Sequence, residues 1–158
     1  MPLPTPGPRW LEDFAVGQVV TTQGRTVTDA DLVAFAGLTW DANPVHTDAA
    51  FAAEGRFGEV IGHGLLGMSY AMGLVARTGV FEGSSVALLG VDDWRFHAPI
   101  RVGDTLHVRV EIVGVRTTSS GQGVLDRAFS VLNQHDDLVQ SGRIGLMVAP
   151  RPSGVGTA

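Results

Sequence analysis

The stretch HGLLGMSYAMGLVAR, residues 63–77, constrains this chain more than any other. It is apolar on nearly every face of a helix, so the helix is expected to be buried all round rather than laid on a surface. Three glycines inside it, Gly64, Gly67 and Gly73, each cost roughly 1 kcal/mol of helix propensity relative to alanine. Their retention implies close backbone approach at those positions. Such a helix cannot stand alone, and the remaining residues must enclose it.

What encloses it follows directly. After Gly83 the hydrophobic period changes from helical to alternating, over residues 85–96, 104–115, 123–133 and 138–148. In the second segment Leu106, Val108, Val110 and Ile112 share one face while His107, Arg109 and Glu111 share the other, the period of a half-buried strand. Long alternating strands joined by short turns predict an antiparallel sheet. Upstream, residues 17–26 read as a further strand rich in Val and Thr. Thr28 and Asp31 then resemble a capping box, and Leu32, Phe35 and Ala36 continue a short helix to Gly37. The expected class is therefore α+β, with a five-stranded antiparallel sheet wrapped around one long central helix.

The flanks differ. Pro2, Pro4, Pro6 and Pro8 predict an extended arm over residues 1–10, because proline fixes φ and removes amide donors. Residues 150–158 read as a flexible tail. Residues 11–149 form one domain, with no internal repeat and no linker. With 44% hydrophobic residues and a formal net charge of -5 spread along the chain, a nucleic-acid or anionic-membrane surface is not expected. There are no cysteines, which excludes disulfides, thiol catalysis and cysteine-based zinc sites. No stretch has the length of a membrane span or the form of a secretory leader, so the expected location is cytoplasmic.

One stretch does not fit a purely structural account. TWDANPVHTD, residues 39–48, sets Asp41 and His46 five positions apart with Asn43-Pro44 between them. Proline pushes Asn43 out of the helical region, so irregular backbone is expected there, and Thr47-Asp48 can cap a second short helix through Phe51 to Glu54. On spacing alone Asp41 caps a turn and His46 is a loop histidine. Asn43 can also hold the turn so that His46 is aimed back at Asp41. Residues 62–67 match G-x-G-x-x-G, but no buried strand precedes them within a βαβ unit. Pairing His46 with Asp48, or His97 with His107, has no metal-ligand spacing, so no metal is expected. Arg56, Arg95 and Arg101 are surface arginines or phosphate contacts, and Trp94 and Phe96 are core or interface residues.

Three motifs occur in order: Asp41-x-Asn43-Pro44-x-His46, then His63-Gly64-Leu65-Leu66, then Phe96-x-x-Pro99-x-x-x-Gly103-Asp104. Together they resemble the MaoC-like (R)-specific enoyl-CoA hydratases, over nearly the whole chain. The resemblance implies the hot-dog fold. It also implies a catalytic role for Asp41 and His46, and for Gly64 an amide that polarises the thioester. Asn43, Pro44, Trp40, His63 and Met72 would shape the site, His63 as a structural residue beside the helix start. Trp40 stands where many members have glycine, and Met72 where some have serine near the catalytic pair.

The implied activity interconverts trans-2-enoyl-CoA and (3R)-3-hydroxyacyl-CoA, with the acyl-CoA or acyl-carrier thioester as substrate and no cofactor. A carboxylate and an imidazole gripping one water supply general acid-base catalysis, and a helix N-terminus at Gly64 meets the enolate charge. A homodimer or higher homo-oligomer is expected. Thioester hydrolysis on the same fold, and non-catalytic acyl-thioester binding, are the alternatives. Chain length, carrier and physiological direction stay open, as does the choice of base between Asp41 and His46.

Overall fold

The computed structural model describes residues 7–153. A single turn of 3-10 helix, Leu11–Asp13, leads to strands β1 (Val19–Thr21) and β2 (Arg25–Thr26). Helices α1 (Asp29–Thr39), α2 (Pro44–Thr47), α3 (Ala49–Ala53) and α4 (Gly64–Ala76) follow. The chain closes with four long strands: β3 (Ser85–Phe96), β4 (Thr105–Thr117), β5 (Gly123–Leu132) and β6 (Leu138–Val148). Sheet order is β1-β4-β5-β6-β3, with β2 also paired to β4, and every pairing is antiparallel. The expected five strands are present, and the short β2 makes six.

The sixth strand has a local cause. Residues 17–26 do not form one strand, because Thr22 uses its hydroxyl as well as its amide against β4. Its N–H donates to the Val108 carbonyl at 2.9 Å, and its Oγ1 accepts from the Val108 amide at 2.9 Å. A side-chain oxygen thus takes the place of a backbone carbonyl, and the ladder breaks until Arg25.

The core lies between α4 and the sheet. Leu66, Tyr70, Ala71, Leu74 and Val75 of α4 pack with Leu106, Val108, Val110 and Ile112 of β4, and with Leu125, Phe129, Ile144 and Leu146. Each large apolar side chain fully removed from water contributes about 1.5–3 kcal/mol. The alternation read in β4 is the observed burial pattern.

Burial of α4 all round is not observed. Leu65, Ser69, Gly73 and Ala76 form an outward stripe, because the sheet covers only one side of the helix within this chain. The glycines divide accordingly. A Cβ on Gly67 would collide with Gln140 and Ile100, and one on Gly64 would come within 2.7 Å of the Phe96 ring, whereas Gly73 has open space. Close approach therefore holds at two of the three positions.

Strand β3 is an edge. It pairs with β6 on one side and leaves Val86, Leu88, Leu89, Val91 and Phe96 exposed. At the flanks, residues 1–6 of the expected arm and 154–158 of the expected tail lie outside the described residues. The remainder is tied down: the Arg9 amide donates to the Val80 carbonyl at 3.0 Å, and Arg151 bonds Glu12 through its amide and Asp13 through its guanidinium. No helix among the described residues is long and apolar enough to cross a membrane.

Candidate active site

Between Thr39 and His46 the chain ends one helix and begins another. Helix α1 runs two residues past the expected stop at Gly37, and Trp40 closes it in the left-handed region at φ 64°. Glycine usually fills that position because it has no Cβ; a tryptophan there costs of order 1–3 kcal/mol of backbone strain. The Trp40 side chain is out in solvent, the residue 91% exposed.

The Asn-Pro pair then starts α2. Asn43 Oδ1 accepts from the Val45 amide at 3.2 Å, and Pro44 takes the first helical position, where its missing N–H is no loss. Irregular backbone, expected from the proline, gives way to a short helical turn for that reason. The His46 amide donates to the Asn43 carbonyl at 2.8 Å, and the Asn43 amide donates to Asp41 Oδ1 at 3.3 Å. With His63 brought in at the start of α4, one ligand-type atom each from Asp41, His46 and His63 lies within 4.8 Å of the others. Two acceptors at that separation can share one water, since two hydrogen bonds of about 2.8 Å span roughly 5.6 Å.

The protonation pattern of His46 follows from its partner. Nδ1 lies 2.7 Å from the Ile61 carbonyl. A carbonyl only accepts, so Nδ1 carries the proton and Nε2 presents a lone pair in the neutral ring. His63 is fixed by the same logic, its Nε2 donating to the Asp41 carbonyl at 2.8 Å. It is 2% exposed, and among the described residues its Nδ1 meets no hydrogen-bond partner.

His63 is also the N-cap residue of α4, and its side chain makes no capping bond. The Gly64 and Leu65 amides therefore have no side-chain cap at the positive end of the helix dipole, while the Leu66 amide donates to the His63 carbonyl at 3.1 Å. Gln140 holds that helix start: its Nε2 donates to the Gly64 carbonyl at 2.9 Å, while its Oε1 accepts from Trp94 Nε1 at 3.1 Å. His46, Gly64, Leu65, Phe96, Gln140 and Arg56 line one cavity of about 610 Å³.

Of the residues singled out from sequence, Asp41, His46 and His63 form one cluster, Asn43 and Pro44 make the turn between the first two, and His46 and Gly64 line the cavity. Met72, expected near the pair, instead lines a second cavity towards the other end of α4, because eight helical residues separate it from Gly64, about 12 Å along the axis. Arg101 is paired with Glu59 at 3.0 Å and Arg95 lies 4.0 Å from Asp93, while Arg56 borders the site cavity. Two contributors were missed. Ile61 acts through a backbone carbonyl and leaves no sequence signal, whereas Gln140 is a polar residue in the inward phase of β6 and was readable as such.

The description of the MaoC like domain matches residues 13–128. The chain belongs to the MaoC-like family. This MaoC-like chain is 38% identical over 102 residues to Protein MaoC of Klebsiella aerogenes, covering 65% of this chain and 30% of that protein. To an (R)-specific enoyl-CoA hydratase of Rhodospirillum rubrum it is 30% identical over 106 residues, 67% of this chain and 71% of the relative. A solved structure of a monoamine oxidase regulatory protein from Archaeoglobus superposes with a TM-score of 0.87 at 31% identity, covering 95% of this chain and 100% of that one. The fold is the hot-dog fold of MaoC-like hydratases and dehydratases. The chain spans less than a third of the length of Protein MaoC.

Proposed function

We propose that this MaoC-like protein is a hydro-lyase that interconverts trans-2-enoyl-CoA and (3R)-3-hydroxyacyl-CoA. The observation that carries the reading is the Nδ1 bond of His46 to the Ile61 carbonyl. It leaves Nε2 as the proton acceptor of a ring that clusters with the Asp41 carboxylate. Two acceptors suit the two hydrogens of one water.

The proposed step begins with a water held between Asp41 and His46. One of them takes a proton as the water oxygen bonds to Cβ. The π electrons move toward the thioester oxygen, and a proton is delivered to Cα from the same side. Acid-base catalysis of this kind supplies typically 10²–10⁴-fold. The enolate oxygen is assigned to the Gly64 amide at the uncapped start of α4, where removal of such a donor costs about 3–4 kcal/mol. A Cβ at Gly64 would press on the Phe96 ring, which borders the same cavity. Arg56, beside the cavity, is the arginine placed to meet a coenzyme A phosphate. No metal or redox cofactor takes part in this scheme.

The same proposal includes a homodimer formed across the open edge of β3, whose exposed apolar side chains would be covered by a second copy. A cytoplasmic location belongs to it as well.

The test follows the absorbance of the conjugated enoyl thioester with crotonyl-CoA and with longer, branched and dicarboxylic analogues, and adds chiral analysis of the product. Loss of absorbance yielding the (3R)-hydroxy thioester, abolished in Asp41→Asn and His46→Ala, is the expected result. Release of free coenzyme A would move the activity to thioester hydrolysis, and binding without turnover across the series would make the protein an acyl-thioester binder.

A further inference from the structure

The chain enters the domain beside the far end of α4. The Arg9 amide donates to the Val80 carbonyl at 3.0 Å, and the Leu11 amide donates to the Ala149 carbonyl at 3.1 Å. The Ala149 amide in turn donates to the Ser84 carbonyl at 2.8 Å, and Trp10 Cη2 lies 3.9 Å from the position a Cβ on Gly83 would take. Residues 9–11 thus advance in step with residues 80–84. Followed back from Arg9, the chain heads past Val80 toward Gly79 and Arg77. Gly7, two residues earlier, is still half-buried.

Gly79 and Arg77 stand on the rim of the second cavity, about 620 Å³ in volume, which Val86, Leu88, Arg127 and Leu146 also line. Its walls are largely apolar, and Val86 and Leu88 are 53% and 58% exposed. An open apolar surface of this kind marks a place where something docks.

The segment that leads there has the matching chemistry. Six residues precede Gly7, and at about 3.1 Å per residue in polyproline II they reach roughly 19 Å, enough to cross the mouth of the cavity. MPLPTP carries no charged side chain. Pro2, Pro4 and Pro6 have no N–H, so the segment can lie on an apolar wall with few donors left unsatisfied. Its carbonyls still need donors, and the exposed Arg77 guanidinium on the rim offers five. Proline also restricts the undocked segment, which lowers the entropy lost on docking.

We infer that residues 1–6 dock into the second cavity of their own chain, as a strap across the end of α4 and the start of β3. Apolar grooves recognise proline-rich segments in this way elsewhere. Val91, in the middle of β3, does not line the cavity, so the strap leaves that part of the edge open to a second copy. The strap is independent of the reaction assigned to the first cavity.

The chain has no cysteines, so disulfide trapping reads the contact directly in the full-length protein. Val86→Cys is paired with Pro2→Cys, Leu3→Cys or Thr5→Cys, and Leu3→Cys with His135→Cys, in the β5–β6 turn, serves as control. After mild oxidation, peptide mapping should find an intrachain disulfide in at least one Val86→Cys pair, formed roughly tenfold or more faster than in the control. Rates equal to the control in every pair overturn the inference, and so does a disulfide formed between chains, which would place the arm on a second copy. Removal of residues 2–6 supplies a second readout that needs no disulfide geometry. Binding of an apolar fluorescent dye should rise at least severalfold in the folded, truncated protein, and unchanged dye binding overturns the inference. Neither readout uses hydration, so failure of the hydratase reading would leave both intact.

Discussion

The imidazole of His63 stacks on that of His46, with ring centroids 3.9 Å apart and planes inclined by 27°. His63 thereby joins three things: the ring of His46, the Asp41 carbonyl that accepts from its Nε2, and the start of α4, which it precedes. A role in holding the pair predicts that His63→Ala lowers kcat by about 10²-fold with little change in KM, the size expected for a misplacement near 1 Å. His63→Phe, which keeps a ring for the stack and loses the donor, should fall between the two. Dialysis against a chelator should leave activity unchanged, and its loss would turn Asp41, His46 and His63 into metal ligands.

The glycines of α4 make a graded test of packing. Gly67→Ala would drive a Cβ into Gln140 and Ile100, and overpacking of that kind costs about 1–3 kcal/mol. Gly64→Ala meets the Phe96 ring, an exposed side chain that can give way, so activity should fall more than stability. Gly73→Ala has open space within the chain and should gain about 0.5–1 kcal/mol from helix propensity. Thermal unfolding of the three variants beside their hydration rates would check the order. A loss of stability in Gly73→Ala would show that another copy packs on that face.

Edge pairing through β3 can be broken by one charge. Val91 is exposed and lies opposite Ile144 of β6 in register. Val91→Lys should shift the protein from dimer to monomer in sedimentation velocity, because a lysine on an edge strand opposes further pairing. A dimer that persists in the variant would place the interface elsewhere.

Stability should depend on acid through Asp31, which closes the capping box of α1 with Thr28. Burial pushes its carboxyl up, but the nearby Tyr70 hydroxyl, hydrogen bonds from Thr28 and the charge of Arg25 outweigh this and hold it at about 2, against an ordinary 3.8. The folded value is the lower one, so its stabilising contribution is complete above about pH 4 and is lost as pH falls toward 2. Thr28→Ala should cost about 1 kcal/mol at neutral pH, and the gap between the urea midpoints of the two proteins should narrow as pH falls from 4 toward 2, leaving only the cap bond to the Asp31 amide.

Local rules were legible wherever they were local. The alternation of β4 and the capping box at Thr28 and Asp31 each rest on neighbouring residues, and the structure repeats them, whereas the irregular backbone expected at Asn43-Pro44 is a capped helical turn. The grouping of Asp41, Asn43 and His46 was legible for the same reason, since a cap and a proline bring them together within six residues. His63 joins them only because α4 docks where α2 begins.

Residue order by itself determined the class of fold, the apolar central helix and the short segment that brings a carboxylate and an imidazole together. Tertiary structure alone decided that Ile61 sets the proton on His46, that Met72 and Arg127 belong to a second cavity, and that one stripe of α4 and the edge of β3 face outward. The division has a physical reason. Hydrogen bonds and periodicity along the chain depend on residues a few positions apart, whereas cavities, buried charges and open edges depend on which elements meet, and that is set by the packing of the whole.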